Sequence, residues 1–169
     1  AGGGWLAGST TSNVSTIMGA INPSGKGSSG NITARNTADI TSEGLSAGGI
    51  TIQSIGGGGG LIGMKTGEIQ LGLENGSDIN DSGSIDLKNS GFIATKGDDS
   101  PAILLQSIAG GGGRADQYYG NAQLGLTGAG GVLNANSGDI KLENTGDYIL
   151  TEGNSSPGIT VQTIGGGGG

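Results

Sequence analysis

The sequence predicts an all-β protein, a right-handed parallel β-helix (β-solenoid), and three observations support this fold class. First, a six-residue phrase that contains glutamine leads into a glycine block three times, at Ile50–Ile55, Ile103–Ile108 and Ile159–Ile164. The glutamines lie 53 and 56 residues apart, a period typical of chains that stack copies of one supersecondary unit. Second, apolar and polar residues alternate between the glycines, as in strands with one buried face. Third, glycine recurs too often for helices, in which each glycine costs about 1 kcal/mol relative to alanine.

The repeat organises the whole chain into one array. The middle phrase, Gly83 to Gly97, matches Gly138 to Gly153 and, more loosely, Gly30 to Gly44. We therefore predict a single repeat array over residues 1–169, with units at residues 1–60, 61–113 and 114–169. Because glycine blocks stand at both ends, the sequence resembles an in-phase excerpt of a longer chain.

Aliphatic residues within the middle unit recur at a constant spacing of one third of the unit, as in Ile85 and Ile103 or Leu87 and Leu105. This spacing predicts about three turns, or rungs, of the coil in each repeat of 53 to 56 residues, with isoleucine stacked on isoleucine and leucine on leucine. Nine such rungs, spaced by about 4.8 Å, would form a rod about 43 Å long.

Two amide-bearing columns are predicted to form structural ladders along the coil. One amide follows a strand in every unit, at Asn36, Asn89 and Asn144. Asparagine suits turns because it tolerates left-handed backbone, and stacked amides can bond along a fibre axis. The other occupies an otherwise apolar strand, at Gln53, Gln106 and Gln162. For the glutamines two interpretations stay open: an inward or rim amide satisfied by backbone, or an outward row offered to a ligand.

The glycine blocks need a physical reason, because glycine loses more conformational entropy on ordering than any other residue. One interpretation is a packed corner that tolerates no Cβ or requires positive φ. A second is a flat strip for lateral contact with another rod, and a third is a flexible loop. We favour the packed corner.

Composition excludes several classes of function. The chain has no cysteine and no histidine, so disulfides, thiolate chemistry, the usual general base and the commonest metal ligand are absent. Its seven basic residues are scattered and the net charge is −7, which opposes binding to nucleic acid or anionic membranes. Asp98, Asp99 and Glu143 fit a solvated turn and an outward strand position. We predict no enzyme, catalytic residue, metal site, cofactor, nucleic-acid partner or direct membrane insertion in this segment.

Aromatic residues are rare, at 3% of the chain, and three of them follow glycine blocks: Trp5, Tyr118 and Tyr119. Aromatic side chains on a protruding loop are plausible contact residues. A cap over the solenoid core is an equally good interpretation.

The repeat style resembles a known family. The phrase Asn-Ser/Thr-Gly-x-Ile, followed by a Ser-Pro turn and an isoleucine, spans Asn89 to Ile103 and Asn144 to Ile159, and Gln-Ser-Ile then leads into glycines. This style resembles the passenger-domain repeats of large bacterial autotransporter (type V secretion) adhesins. The resemblance covers all three units and implies a right-handed parallel β-helix at the bacterial cell surface or outside the cell. It also implies roles in adhesion, aggregation or biofilms.

From these observations we expect a structural stalk or adhesin segment that mediates adhesion or cell–cell aggregation. The alternative is a self-assembling extracellular filament, because open rungs expose unpaired strand edges. The expected partners are a second copy, bound end to end or laterally, or the surface of a host or neighbouring cell. A carbohydrate-active or ice-binding solenoid is disfavoured, because neither a local break with acidic clusters nor a regular threonine array is present.

Overall fold

The computed structural model describes residues 3–6, 16–21, 27–62, 65–66, 69–74, 81–115, 118–119, 122–124 and 135–166. These residues contain strands and no helix, so no described helix is long and apolar enough to cross a membrane. The strands are β1 (Gly3–Leu6), β2 (Thr16–Ile21), β3 (Ile32–Asn36), β4 (Ile40–Ser42), β5 (Ile50–Ile55), β6 (Gly59–Ile62), β7 (Lys65–Thr66), β8 (Ile69–Glu74), β9 (Ile85–Asn89), β10 (Ile93–Thr95), β11 (Ile103–Ile108), β12 (Gly112–Ala115), β13 (Tyr118–Tyr119), β14 (Ala122–Leu124), β15 (Ile140–Asn144), β16 (Ile149–Thr151) and β17 (Ile159–Ile164).

Every described strand pairs in parallel with the equivalent strand of a neighbouring unit. Ile85 of β9, for example, lies between Ile32 of β3 and Ile140 of β15. The stacks are β1-β6-β12, β2-β8-β14, β3-β9-β15, β4-β10-β16 and β5-β11-β17, together with the pair β7-β13. Parallel stacking of successive copies is the defining feature of a β-helix, so the predicted fold class is confirmed.

The length of one rung corrects the prediction of three turns per unit. Gln106 pairs with Gln53 and Gln162, which lie 53 and 56 residues away, so one turn of the coil takes a whole unit. Ile85 and Ile103, which the sequence spacing placed in successive turns, belong to different walls of the same rung and meet in its core. Alternation shows which residues face inward, but it does not distinguish stacked strands from strands in facing walls. The described strands therefore form three rungs, with about 10 Å between the first and the third.

The core lies between β9, β10 and β11 of the middle rung. Its fully buried members are Ile85, Leu87, Ile93, Ala102, Ile103 and Leu105. Equivalent aliphatic residues of the outer rungs pack against them and are partly buried. Each apolar side chain thus rests on its own copies, which continues the core along the axis.

Strand β11 is buried on both faces. Ile103 and Leu105 face the core, whereas Leu104, Gln106 and Ile108 lie on the opposite face and are at most 2% exposed. A strand covered on both sides favours a nearly continuous apolar run over strict alternation. The sequence Ile103-Leu104-Leu105 has this character, so the β5-β11-β17 sheet is an internal wall at the level of the middle rung.

Candidate functional site

The asparagine column forms a hydrogen-bonded ladder along the axis. Asn36 donates through Nδ2 to Oδ1 of Asn89 at 2.7 Å, and Asn89 donates in the same way to Asn144 at 2.6 Å. Asn89 also donates to the carbonyl oxygen of Gly91. Only 1% of Asn89 is exposed to solvent. The three predicted residues are therefore brought together, each joining one rung to the next at the end of a strand.

The glutamine column forms a second ladder inside the molecule. Gln53 donates through Nε2 to Oε1 of Gln106 at 2.6 Å, and Gln106 donates to Gln162 at the same distance. Gln106 is 2% exposed, and its amide bonds to the neighbouring glutamines instead of to backbone. The buried position leaves the middle amide inaccessible to an outside ligand.

A serine pair inside each of the first two rungs was not predicted. The hydroxyl groups of Ser29 and Ser54 form a hydrogen bond of 2.8 Å, and those of Ser82 and Ser107 form one of the same length. Ser54 also accepts the backbone N–H of Gly83, which belongs to the next rung. The hydroxyls thus link two walls within a rung and one rung to the next. Their recurrence in the sequence was a usable signal, but serine is too common here for it to stand out.

Side-chain oxygens at the outer corners accept backbone N–H groups of the following rung. Asp39 accepts from Phe92 at 3.0 Å, and Asp98 accepts from Asn154 at 2.7 Å. Asp81 accepts from Asn136 at 2.8 Å in the same manner. These carboxylates replace ladder hydrogen bonds where the strands end, so their contacts are structural.

The glycine block forms a packed turn and the beginning of the next strand, β6 or β12. Gly57 to Gly60 and the equivalent Gly110 to Gly113 all have positive φ and are buried. A Cβ on Gly59 would lie 1.7 Å from the carbonyl oxygen of Gly112, far inside contact distance. Backbone stacked directly on backbone excludes side chains, which agrees with the favoured interpretation of the sequence.

Charged residues form columns on the outer surface. Lys96 contacts Glu43 at 2.8 Å, and Lys88 contacts Glu143 at 3.3 Å; all four side chains are about half exposed or more. The hydrogen bond from Lys96 and its positive charge lower the pKa of Glu43. The same hydrogen bond and the negative charge of Glu43 raise the pKa of Lys96.

Two shallow polar clefts lie on the outer face of the β3-β9-β15 sheet. One, of about 190 Å³, is lined by Arg35, Lys88 and Glu143 among others. The other, of about 350 Å³, includes Asp86, whose Oδ1 is buried without a hydrogen-bond partner among the described residues. Within that part of the chain, no three His, Cys, Asp or Glu side chains gather as a metal site.

The predicted aromatic contact residues have described backbones only. Trp5 pairs with Leu61, and Tyr118 and Tyr119 pair with Lys65 and Thr66. The side chains of Trp5, Tyr118 and Tyr119 lie outside the described part of the structure. A different aromatic contact is described: Phe92 and Tyr148 stack at an outer corner with ring centroids 4.9 Å apart and planes 13° from parallel.

The fold places the chain in the class of parallel β-helix repeat proteins. The chain matches no protein-family model, no curated protein and no solved structure. Its resemblance to autotransporter passenger repeats therefore stays a prediction.

Proposed function

We propose that this chain is a structural segment of a stalk or adhesin at the bacterial surface, mediating adhesion or cell–cell aggregation. The observation that supports it best is the stacking of equivalent residues, such as Asn36, Asn89 and Asn144, in every described wall. In such an array each unit contacts its neighbours in one way, so length grows by adding units. Reach and display are the functions that this architecture serves.

We also propose that this chain is not an enzyme. Asp39, Asp81 and Asp98 accept backbone N–H groups, and Glu43 and Glu143 form ion pairs with lysines. Acidic groups that catalyse need a free position beside a substrate and a matched pKa. The structural contacts of these carboxylates support a non-enzymatic function.

Location and partners are proposed on chemical grounds. A surface with a net charge of −7 and no cysteine suits a soluble segment outside the cell, where it faces host or neighbouring cells. The outer β3-β9-β15 face, with both signs of charge and two clefts, is the surface that we propose for such contacts.

Surface display tests the adhesin proposal. The array would be inserted between a bacterial outer-surface anchor and a peptide epitope, and cell aggregation and attachment to epithelial cells would be measured. We expect both to increase relative to a flexible glycine–serine linker of equal length. Equal aggregation and attachment for the two inserts would contradict the proposal.

A self-assembling extracellular filament is the second candidate, favoured by the parallel in-register stacking of equivalent strands, in which identical units add along one axis. Open parallel edges invite pairing with another chain. Electron microscopy of the purified chain tests this function, and short rods of uniform length at every concentration would contradict it.

A further inference from the structure

We propose that the cleft of about 190 Å³ on the outer face of the β3-β9-β15 sheet binds a terminal acidic sugar, such as a uronic acid, through its carboxylate. The site holds the sugar and does not cleave it. This inference rests on the adhesin function proposed above and specifies the chemistry of its partner. The cleft lies on the side of the coil, and residues from all three described rungs line it.

Two cations are stacked at one wall of the cleft. Arg35 and Lys88 are directly paired residues of β3 and β9, whose backbones lie about 4.8 Å apart. Like charges in directly opposite positions of a sheet destabilise each other. Lys88 contacts the third rung instead, where its Nζ lies 3.3 Å from Oε2 of Glu143. The Arg35 guanidinium has no ion-pair or hydrogen-bond partner among the described residues.

A carboxylate fits the charge and the geometry of this wall. An anion beside Arg35 and Lys88 would relieve their repulsion. The planar guanidinium of Arg35 presents parallel N–H donors that match the two oxygens of a carboxylate. Glu143 lies in the same column, so two positive charges and one negative charge leave one net positive charge. This balance favours a singly charged carboxylate over a phosphate monoester, whose additional charge Glu143 would repel.

The rest of the lining suits the hydroxyl groups of a sugar. Ser90 and Thr145 donate to backbone carbonyl oxygens of the preceding rung at 3.4 Å, so their own hydroxyl oxygens are able to accept from a ligand. All the described lining side chains are polar or charged, so the cleft lacks the apolar anchors that usually hold a peptide. Its volume is below the range of about 300–1,000 Å³ for drug-sized ligands, which suits a single terminal sugar.

Titration of the isotope-labelled chain, followed by NMR, tests the ligand with three probes. Methyl glucuronide carries both the sugar ring and the carboxylate, methyl glucoside carries only the ring, and a tetraglutamate peptide carries only carboxylates. We expect methyl glucuronide to shift the signals of the cleft residues and to bind about tenfold more tightly than the glucoside, the effect of charge-assisted hydrogen bonds. The peptide should also bind more weakly. Equal affinity for the glucoside, or tighter binding of the peptide, would overturn the proposal.

A matched pair of variants separates this cleft from general attraction of anions. Arg35→Gln and Lys141→Gln each remove one positive charge from an exposed position of the same sheet, but Lys141 lines the other cleft. With the circular dichroism spectrum unchanged, we expect the Kd for methyl glucuronide to rise about tenfold for Arg35→Gln and less than about twofold for Lys141→Gln. Equal weakening would indicate attraction by net charge alone and would overturn the proposal.

A second pair removes a negative charge. Glu143→Gln frees Lys88 for the ligand, whereas Glu152→Gln removes the same charge at an exposed site outside the lining of this cleft. We expect the Kd to fall about two- to fivefold for Glu143→Gln and to stay the same for Glu152→Gln. Methyl glucuronide that fails to bind the wild-type chain would overturn the site, while attachment in the display assay would still support the adhesin function. Binding without attachment would contradict the adhesin function and leave the site in place.

Discussion

Single residues show why amides recur in this molecule. In a parallel, in-register stack every side chain lies over its own copy at about 4.8 Å. A stacked carboxylate or ammonium group repels its copy, whereas an amide donates on one side and accepts on the other. Asn89 and Gln106, both nearly inaccessible, use this property inside the protein. Amides therefore serve as the polar equivalent of the stacked isoleucines.

Asn89→Ala tests the value of the asparagine ladder. The change removes contacts to Asn36, Asn144 and the carbonyl of Gly91, and it leaves buried polar groups unsatisfied. We expect the free energy of unfolding to fall by about 2–4 kcal/mol, measured by urea denaturation. Asn144→Ala, at an exposed position of the same ladder, should cost about 1 kcal/mol or less. Equal losses for the two variants would contradict a ladder stabilised by burial.

Gly113→Ala tests the close backbone packing of the glycine block at the start of β12. Its Cβ would lie 1.9 Å from the carbonyl oxygen of Gly60, and φ of +139° disfavours any L side chain. We expect a loss of about 3 kcal/mol or more in unfolding free energy. Gly30→Ala is the control, because a Cβ there meets nothing within 4 Å and the backbone is not left-handed. A Gly113→Ala protein as stable as the control would show that the block is not packed.

Strands in this molecule differ in their surroundings even though they share one repeat. Both faces of β11 are buried, whereas β9 has a buried face and an outer face with Asp86 and Lys88. The repeat therefore builds two kinds of wall from the same parallel pairing. Ion pairs between exposed side chains connect neighbouring strands on the outer surface.

The Glu43–Lys96 pair, beyond the ends of β4 and β10, should make stability depend on pH in a defined window. The pKa of Glu43 is lowered in the folded protein, so its contribution is present above the ordinary value of 4.5 and is lost as the pH falls through the lowered value. The pKa of Lys96 is raised, so its contribution is present below 10.5 and is lost as the pH rises through the raised value.

Comparing wild type with Glu43→Gln isolates that contribution. We expect a small decrease in Tm near pH 7 that disappears once the pH falls below the lowered pKa of Glu43, because an exposed pair contributes little and a protonated glutamate contributes nothing. Lys141→Gln, which removes a positive charge from another outer column, is the control. A Tm difference that stays undiminished as the pH falls into the range where Glu43 is protonated would contradict the ion pair as its cause.

Much of the fold followed from the sequence because the repeat and the alternation are both visible in it. The parallel coil, and the alignment of Asn36 with Asn89, depend only on those two signals. The length of a rung could not be predicted from the sequence, because the inward positions of Ile85 and Ile103 fit stacked strands and facing strands equally well. The burial of Gln106 was also unresolved, since a strand covered on both faces depends on chain far away in sequence. Predicting the serine pairs would also have required knowing which walls of the coil face each other.

The whole molecule behaves as a stack in which one rung equals one unit. Each rung adds about 4.8 Å along the axis for 53 residues, so the coil is wide relative to its height. Stability in such arrays is approximately the sum of unit and interface contributions. The middle rung, which has two neighbours, holds the fully buried core.

Inserting a rung tests this organisation. A second copy of residues 56–108, placed after Ile108, adds a full turn in phase. We expect a folded protein with a higher free energy of unfolding and a urea m-value larger by about a third. Inserting a second copy of residues 86–103 after Ile103 adds only part of a turn, out of phase, and should destabilise the protein. A stable protein from the shorter insertion would instead support a coil with several turns per unit.

The 53-residue rung has a mechanical consequence. Inter-strand hydrogen bonds run along the axis, so a pulling force applied at the two ends opens them one rung after another. Each detached rung releases about 180 Å of extended chain in place of about 5 Å of height. Force spectroscopy of a tandem array should therefore give a sawtooth with peaks about 180 Å apart, whereas peaks about 60 Å apart would indicate a shorter turn. A surface tether built in this way lengthens greatly under flow before it breaks.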